Sequence, residues 1–313
     1  MRVFVAGATG VVGKQLVPLL LAAGHSVVGT TRSPGRAGAL TALGAEPVVL
    51  DLLDRAGTIA AVTVAKPDAI VHEATALSHL GNNPRRFDAG FGTTIRLRTD
   101  GTVNLLAAAE AARGVTRFIA QSFCGWPYQP IGGPVKTEND PLNPDPPPSF
   151  RRTLASQRTL EDLVTRAPGG VVLRHGAHYG PGTSLSDDGP QIKAIRKRVL
   201  PIVGDGGGVW SFVHVADAAE AVVAALTGGL GVYNIVDDDP APVREWLPYL
   251  ASVVDAKPPS RVPVWLARLI GGPGAVYLMT QVRGGSNARA KQELQWAPAH
   301  PSWRDGFRED FAS

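Results

Sequence analysis

The chain has 313 residues, 44% of them apolar and 19% charged, with a formal net charge of +4. Those values suit a soluble globule built as one large α/β domain, or one and a half, and the weak, dispersed charge argues against a nucleic-acid partner while favouring an anionic small ligand. The single cysteine, Cys124, excludes an internal disulfide, no apolar run reaches ~18 residues, and strand-like residues begin at Arg2, so we expect a cytoplasmic protein with no signal peptide and no membrane partner.

In chain order, Arg2–Ala6 (RVFVA) predicts a strand and Val11–Ala23 a helix stopped at Gly24. Further strands are expected at Ser26–Thr31, Pro47–Leu50, Ala69–His72 and Arg117–Gln121, with helices between them at Gly35–Leu43, Arg55–Ala65 and Thr99–Ala112. Near-continuous apolar strands alternating with helices imply a parallel sheet covered on both faces, a doubly wound α/β fold of the Rossmann type. Gly125–Ser149 holds eight prolines and is expected to be a loop. A helix at Arg151–Arg166 and a strand at Gly170–Arg174 follow. From His175 the alternation loosens. We therefore expect residues 1–174 to form the dinucleotide-binding domain, with later strands returning to its sheet, and 175–313 to form mainly a smaller substrate lobe.

The strand–turn–helix at the start carries Gly7-x-x-Gly10-x-x-Gly13, with Thr9, Val11 and Val12 between the glycines. Gly7 permits the tight turn, Gly10 the approach of backbone to a pyrophosphate, and Gly13 close packing of the helix, whose unpaired N–H groups attract the diphosphate. A P-loop is excluded, because Ala8 stands where it needs Gly and Gln15 where it needs Ser or Thr. The second strand ends in Thr31-Arg32-Ser33, with no Asp or Glu to grip a ribose 2′-hydroxyl. A guanidinium between two hydroxyls suits a 2′-phosphate, so NADP(H) is expected in preference to NAD(H). Asp51-Leu52 is placed to meet the adenine, with Asp54 the better N-cap for the next helix, and Ala74-Thr75-Ala76 is placed along the cofactor ribose.

These residues, with Val71-His72-Glu73-Ala74, Gly101-Thr102-Val103-Asn104-Leu105-Leu106, Leu173-Arg174, Tyr179-Gly180-Pro181-Gly182, Phe212-Val213-His214-Val215-Ala216-Asp217 and Glu293-Leu294-Gln295-Trp296-Ala297-Pro298, resemble the extended short-chain dehydrogenases/reductases of the NAD-dependent epimerase/dehydratase family. The resemblance covers nearly the whole chain. It implies a Tyr-x-x-x-Lys pair on the helix after the long loop, and that pair is missing. Placing Ser156 and Glu161 at the family's flanking Ser and Glu puts Thr153 at the tyrosine and Gln157 at the lysine. Four residues beyond the tyrosines at 128, 179, 233, 249 and 277 stand Gly132, Thr183, Asp237, Val253 and Gln281. Gln157 can hydrogen-bond the nicotinamide ribose but carries no charge to depress a neighbour's pKa. His175 stands where the family often has proline, beside the carboxamide.

Ser122 matches the family's Ser or Thr and is expected to orient the reacting oxygen, with Tyr128 or His178 handling the proton. Anchoring the proline-rich loop is the competing role for Tyr128. Arg85, Arg86, Arg96 and Arg98 fall where family members bind substrate, although a solvated helix face balanced by Asp88 and Asp100 also accounts for them. The resemblance suggests that Asp217 is a helix N-cap and His214 a packing residue. His175 and His178 lack an obvious third ligand, so no metal is expected. The expected function is an atypical NADP(H)-dependent oxidoreductase or epimerase/dehydratase-like enzyme acting on a small carbonyl, hydroxyl or sugar-like molecule. A non-redox isomerase or lyase using the same pocket, and a cofactor-sensing regulatory protein, are the alternatives. Ala-rich faces at Thr99–Ala112 and Arg151–Arg166 allow the homodimer the resemblance implies.

Overall fold

A computed structural model describes residues 1–77 and 84–311. Seven parallel strands form the central sheet: β1 (Arg2–Ala6), β2 (Ser26–Thr31), β3 (Glu46–Val49), β4 (Ala69–His72), β5 (Arg117–Phe123), β6 (Gly170–His175) and β7 (Gly231–Ile235). Their order is β7-β6-β5-β4-β1-β2-β3. The reversal between β1 and β4 opens a crevice at the carboxyl ends of those strands, where such sheets bind ligands.

Period-two alternation sends Val3 and Val5 to one face and Phe4 and Ala6 to the other. The first face is covered by α1 (Val11–Ala22), through Leu16, Val17 and Leu20, and by a later helix, Val215–Ala225. On the second lie α2 (Arg55–Ala65), α3 (Thr102–Ala112) and α4 (Arg151–Arg166), through Val62, Leu105 and Leu160. The expected helix at Gly35–Leu43 is a short turn, Pro34–Arg36, followed by a helix over Ala37–Ala42. The helix expected from Thr99 begins as a π-helical segment, Leu97–Gly101, and becomes α3 at Thr102.

The lobe after β6 has its own core, in which Phe212, Trp246, Leu250, Trp303 and Phe307 pack together. Its last long helix, α5 (Val264–Thr280), is kinked at Gly272, where φ is 76°, just before Pro273. The proline-rich loop is held down at several points. Val135–Lys136 pairs with Gly284–Gly285, and the Glu138 carboxylate accepts the Asn234 N–H of β7 at 2.7 Å.

Candidate active site

The turn after β1 is built for close approach. Gly7 has φ +94°, and a Cβ there would lie 2.8 Å from the Ala74 backbone. A Cβ on Gly13 would lie 2.4 Å from the Gly7 carbonyl. Gly10 is the N-cap of α1, which has neither a side-chain cap nor an acidic residue in its first turn. The first N–H groups of the helix, on Val11, Val12 and Gly13, therefore face outward as an anion site. Thr30, an unexpected participant, supports the turn by accepting the Gly7 N–H at 3.1 Å. Thr9 and Thr31 hydroxyls meet at 3.2 Å, and Thr31 Oγ1 accepts the Ser33 N–H at 3.2 Å. Thr31 is therefore spent inside the turn. Arg32 and Ser33 are exposed at the strand end, and so is Arg36 one short turn further on.

Asp51 Oδ1 accepts the Leu53 N–H at 3.0 Å, and Asp54 caps α2 by accepting the Gly57 N–H at 3.1 Å. Asn104 donates to the Leu52 carbonyl at 2.8 Å, fixing that backbone beside the crevice. Ala74, Thr75 and Ala76 are half-buried after β4, and Ala76 N–H donates to Thr94 Oγ1 at 3.0 Å. This end fits a dinucleotide on its own geometry: a glycine cradle that a Cβ would fill, helix N–H groups without acceptors, and free cations at the second strand.

At the ends of β5 and β6 the groups expected to move a proton are engaged with each other. Ser122 donates to Glu161 Oε1 at 2.6 Å. Arg174 grips the same carboxylate at both oxygens, at 2.9 and 2.7 Å, and the pair is buried. Tyr128 is fully buried. Its hydroxyl donates to Asn234 Oδ1 at 2.7 Å and accepts from Arg174 Nη1 at 3.0 Å. Burial raises its pKa, with a further push from Cys124, so the phenol does not ionise at neutral pH. The geometry therefore departs from the expected proton donor and matches the competing role, an anchor for the proline-rich loop. The loop is tied there by a Tyr128–Leu142 bridge.

Thr153, at the position of the missing tyrosine, donates its hydroxyl to Asp88 Oδ1 at 2.6 Å. Asp88 also accepts the Arg152 and Thr153 N–H groups, at 2.9 and 2.8 Å, and so caps α4 from outside. Gln157 donates through Nε2 to the Phe123 carbonyl and to Glu161 Oε1, both at 3.0 Å. Its Oε1 is buried without a partner. His175 Nδ1 and His178 Nε2 lie 3.1 Å apart, sharing one hydrogen, while His175 Nε2 is buried and unpartnered. Burial lowers the His178 pKa to about 4 and holds that of His175 well below its ordinary value, with His178 adding to the effect. Both rings are neutral at pH 7. Two orphaned atoms, Gln157 Oε1 and His175 Nε2, thus stand at the ends of β5 and β6, where a ribose hydroxyl and a carboxamide would satisfy them.

Two features here escaped the sequence reading. Six rings from separate segments pack into one aromatic cluster. Phe87 stacks on Phe91 and Phe150, with centroids 4.4 and 4.1 Å apart, and Trp126 sits 5.5 Å from Phe87, 5.3 Å from Phe150 and 5.9 Å from Phe123. Tyr277 of α5 closes the set, 6.1 Å from Phe150. Phe87, Phe123 and Trp126 are only half-buried and present ring surface at the end of β5. The second feature is Arg98. Arg96 lies on a solvated face, paired with Asp100 at 3.5 Å, but Arg98 on the π-helical segment is buried. Its guanidinium lies 4.1 Å over the Phe123 ring, and both terminal nitrogens lack hydrogen-bond partners among the described residues. Burial lowers its pKa to about 10, against the pull of Glu161. With Glu161 already matched by Arg174, Arg98 leaves this region net positive.

Among the described residues, one group, His214, Asp217 and His300, could by proximity hold a metal. Its members are also hydrogen-bonded, with His300 Nδ1 3.0 Å from Asp217 Oδ2. His214 Nδ1 accepts the Ala216 N–H at 3.3 Å, so the neutral ring carries its hydrogen on Nε2. Asp217 accepts the Ala299 and His300 N–H groups, both at 3.0 Å. The N-cap expected of Asp217 is supplied by His214 instead, and Asp217 fastens the C-terminal segment to the helix Val215–Ala225.

The family model described as the NAD dependent epimerase/dehydratase family matches residues 3–235. A 3-diazoavenalumate denitrifying reductase from a Streptomyces sp is 42% identical over 310 residues, covering 98% of this chain and 99% of that protein. A 4-hydroxy-2-methyl-3-oxo-4-farnesyl-3,4-dihydroquinoline-1-oxide ketoreductase from Stigmatella aurantiaca is 30% identical over 340 residues, covering 99% and 96%. Among solved structures, the human epimerase family protein SDR39U1 with NADPH superposes with a TM-score of 0.76 at 21% identity over the full length of both chains, a likeness of fold.

Proposed function

The chain belongs to the NAD-dependent epimerase/dehydratase family, is a nicotinamide-dependent enzyme of the oxidoreductase or epimerase type, and from that premise we propose that it is an NADP(H)-dependent reductase of a planar aromatic electrophile, an arenediazonium carboxylate. One observation carries this reading: every group expected to deliver a proton is engaged in internal hydrogen bonds, while half-buried aromatic rings stand at the same strand ends. When bound, the reduced nicotinamide supplies hydride, which is the whole requirement for Ar–N2⁺ + H⁻ → Ar–H + N2. The protein need not add a proton, so loss of the Tyr-x-x-x-Lys pair costs this reaction nothing. Reducing a carbonyl would require one.

The chain's own groups then bind, orient and exclude water. The N–H groups of Val11, Val12 and Gly13, with Thr9, hold the pyrophosphate. Arg32 and Ser33, joined by Arg36, hold the 2′-phosphate, and Asp51 and Leu52 flank the adenine. Ala74, Thr75 and Ala76 lie along the ribose, Gln157 Oε1 accepts from the nicotinamide ribose, and His175 Nε2 meets the carboxamide. Trp126 and the face of Phe123 turned away from Arg98 stack on a flat cationic ring, backed by Phe87, which is itself sandwiched between Phe91 and Phe150, and together they keep water from attacking it. The excess charge of Arg98 suits an anionic group carried beside the electrophile. Ser122, Tyr128 and His178 are positioning residues: they fix Glu161, the loop and the His175 tautomer.

An aromatic wall offers few hydrogen bonds to a sugar. The regulatory-protein alternative yields to relatives that are enzymes. The test is consumption of NADPH with a carboxylated arenediazonium, measured against the enzyme-free rate, with NADPH deuterated at the nicotinamide C4. Deuterium in the arene with release of N2 is expected. Failure to exceed the enzyme-free rate, or turnover of simple ketones that requires Tyr128, overturns the assignment.

A further inference from the structure

The N-terminal half of α5 stands apart from the rest of the surface. Trp265, Leu269 and Ile270 are 68, 67 and 70% exposed on one stretch of helix between Pro263 and the kink at Gly272. Side chains this exposed form a ridge, not a groove, so a partner helix has no cleft to occupy. Within its own stretch of chain the charge has one sign, with Asp205 and Asp255 exposed at its edge. From Ala256 to Gln292 the sequence contains no Asp or Glu. Lys257, Arg261 and Arg268 are exposed within that stretch. Arg261 and Arg268 make no ion pair among the described residues. Lys197 and Arg198 join them across the β-pairing of Ile202–Val203 with Arg261–Val262, and Arg198 donates to the Pro258 carbonyl at 3.0 Å. The ridge also adjoins the aromatic cluster: a Cβ on Gly274 would lie 2.6 Å from the Phe150 ring.

We propose that this ridge is a docking surface for an anionic lipid bilayer, with Trp265, Leu269 and Ile270 entering the interface and Lys257, Arg261 and Arg268 meeting lipid phosphates. A second copy of the chain is disfavoured by charge, since a two-fold contact would press the same cations against one another. A bilayer supplies apolar depth and negative charge together, the combination that holds amphipathic helices at membrane surfaces. No described helix is long and apolar enough to cross a membrane. The expectation of no membrane partner rested on the absence of a spanning segment, and a surface contact needs none.

The test is cosedimentation of the full chain with phosphatidylcholine vesicles, with and without phosphatidylglycerol. Binding is expected only to the anionic vesicles, weakening as salt rises. It should fall by about ten-fold or more in the Trp265→Ser/Leu269→Ser/Ile270→Ser variant and in Arg261→Gln/Arg268→Gln. These positions are exposed and outside the reaction site, so NADPH binding and melting temperature report that the variants are folded. Quenching of the unaltered protein's tryptophan fluorescence by brominated lipid gives a measurement free of substitutions. Failure to sediment with anionic vesicles, equal binding by both variants, or a concentration-dependent dimer that the apolar variant abolishes would each overturn the proposal, the last by assigning the ridge to a second copy.

Discussion

The two ends of the crevice are built on different physical terms. At the turn after β1, function lies in backbone: N–H groups and glycines, held by contacts so close that a Cβ on Gly13 would meet the Gly7 carbonyl at 2.4 Å. At the ends of β5 and β6, function lies in side chains from distant segments, and their polar atoms are mostly spent on one another. Ser122, Gln157 and Arg174 converge on Glu161, and Tyr128 is held by Asn234 and Arg174. A backbone site tolerates almost no change of residue at its glycines. A side-chain network can keep its shape while its chemistry is replaced, which is what the exchange of Tyr and Lys for Thr153 and Gln157 amounts to.

The sharpest way to break the contrast is Gly13→Val. It should abolish NADPH binding by calorimetry or prevent folding altogether, because the clash is with backbone that cannot move aside. Next, Glu161→Gln leaves Arg174 buried without its counter-charge and should destabilise the protein by ~3–5 kcal/mol in denaturant titration. Unchanged stability would mean the network is not the scaffold described.

A third test uses pH. Burial raises the Glu73 pKa to about 8 from its ordinary 4.5, and both of its oxygens are unpartnered. Between those values the folded protein holds a proton that the unfolded chain has released, so stability should fall as pH rises, by up to ~1.4 kcal/mol per pH unit. Glu73→Gln should flatten that slope, with the greatest gain over the parent above pH ~8 and little near pH ~4.5. An unchanged slope would place the carboxylate in solvent.

Arg32→Ala should weaken NADPH by about ten-fold or more, from the loss of a charge-assisted bond, while leaving NADH within about two-fold. An equal effect on both would move the 2′-phosphate contact elsewhere, with Arg36 the first candidate. The smallest effect is expected from Tyr128→Phe: a loss of ~1–2 kcal/mol in stability with turnover lowered less than about ten-fold, against the ~10²–10⁴-fold cost of removing a true proton donor.

The sheet was legible because parallel strands buried on both faces write near-continuous apolar runs, and strands such as Ala69–His72 were bounded to the residue. Boundaries slipped where local conformation departs from the α-helix, as at the π-helical Leu97–Gly101. That segment carries Arg98 inward and away from Arg96, whereas the run of arginines balanced by Asp88 and Asp100 suggests one solvated face. His214 and Asp217 stand out as a motif in the sequence, but the cap falls to His214, and the backbone donors to Asp217 come from Ala299 and His300, more than eighty residues later.

From sequence alone came the covered parallel sheet, the glycine turn with its helix, the acid-free Thr31-Arg32-Ser33, and the absence of a Tyr-x-x-x-Lys pair; each is a property of neighbouring residues, fixed by short-range sterics and periodicity. Only the folded chain could bring Phe87, Phe123, Trp126, Phe150 and Tyr277 into one cluster, join Ser122 and Arg174 through Glu161, and leave Trp265, Leu269 and Ile270 standing in solvent. Ring packing, buried pairing and exposure depend on which distant segments meet, and no local pattern encodes that.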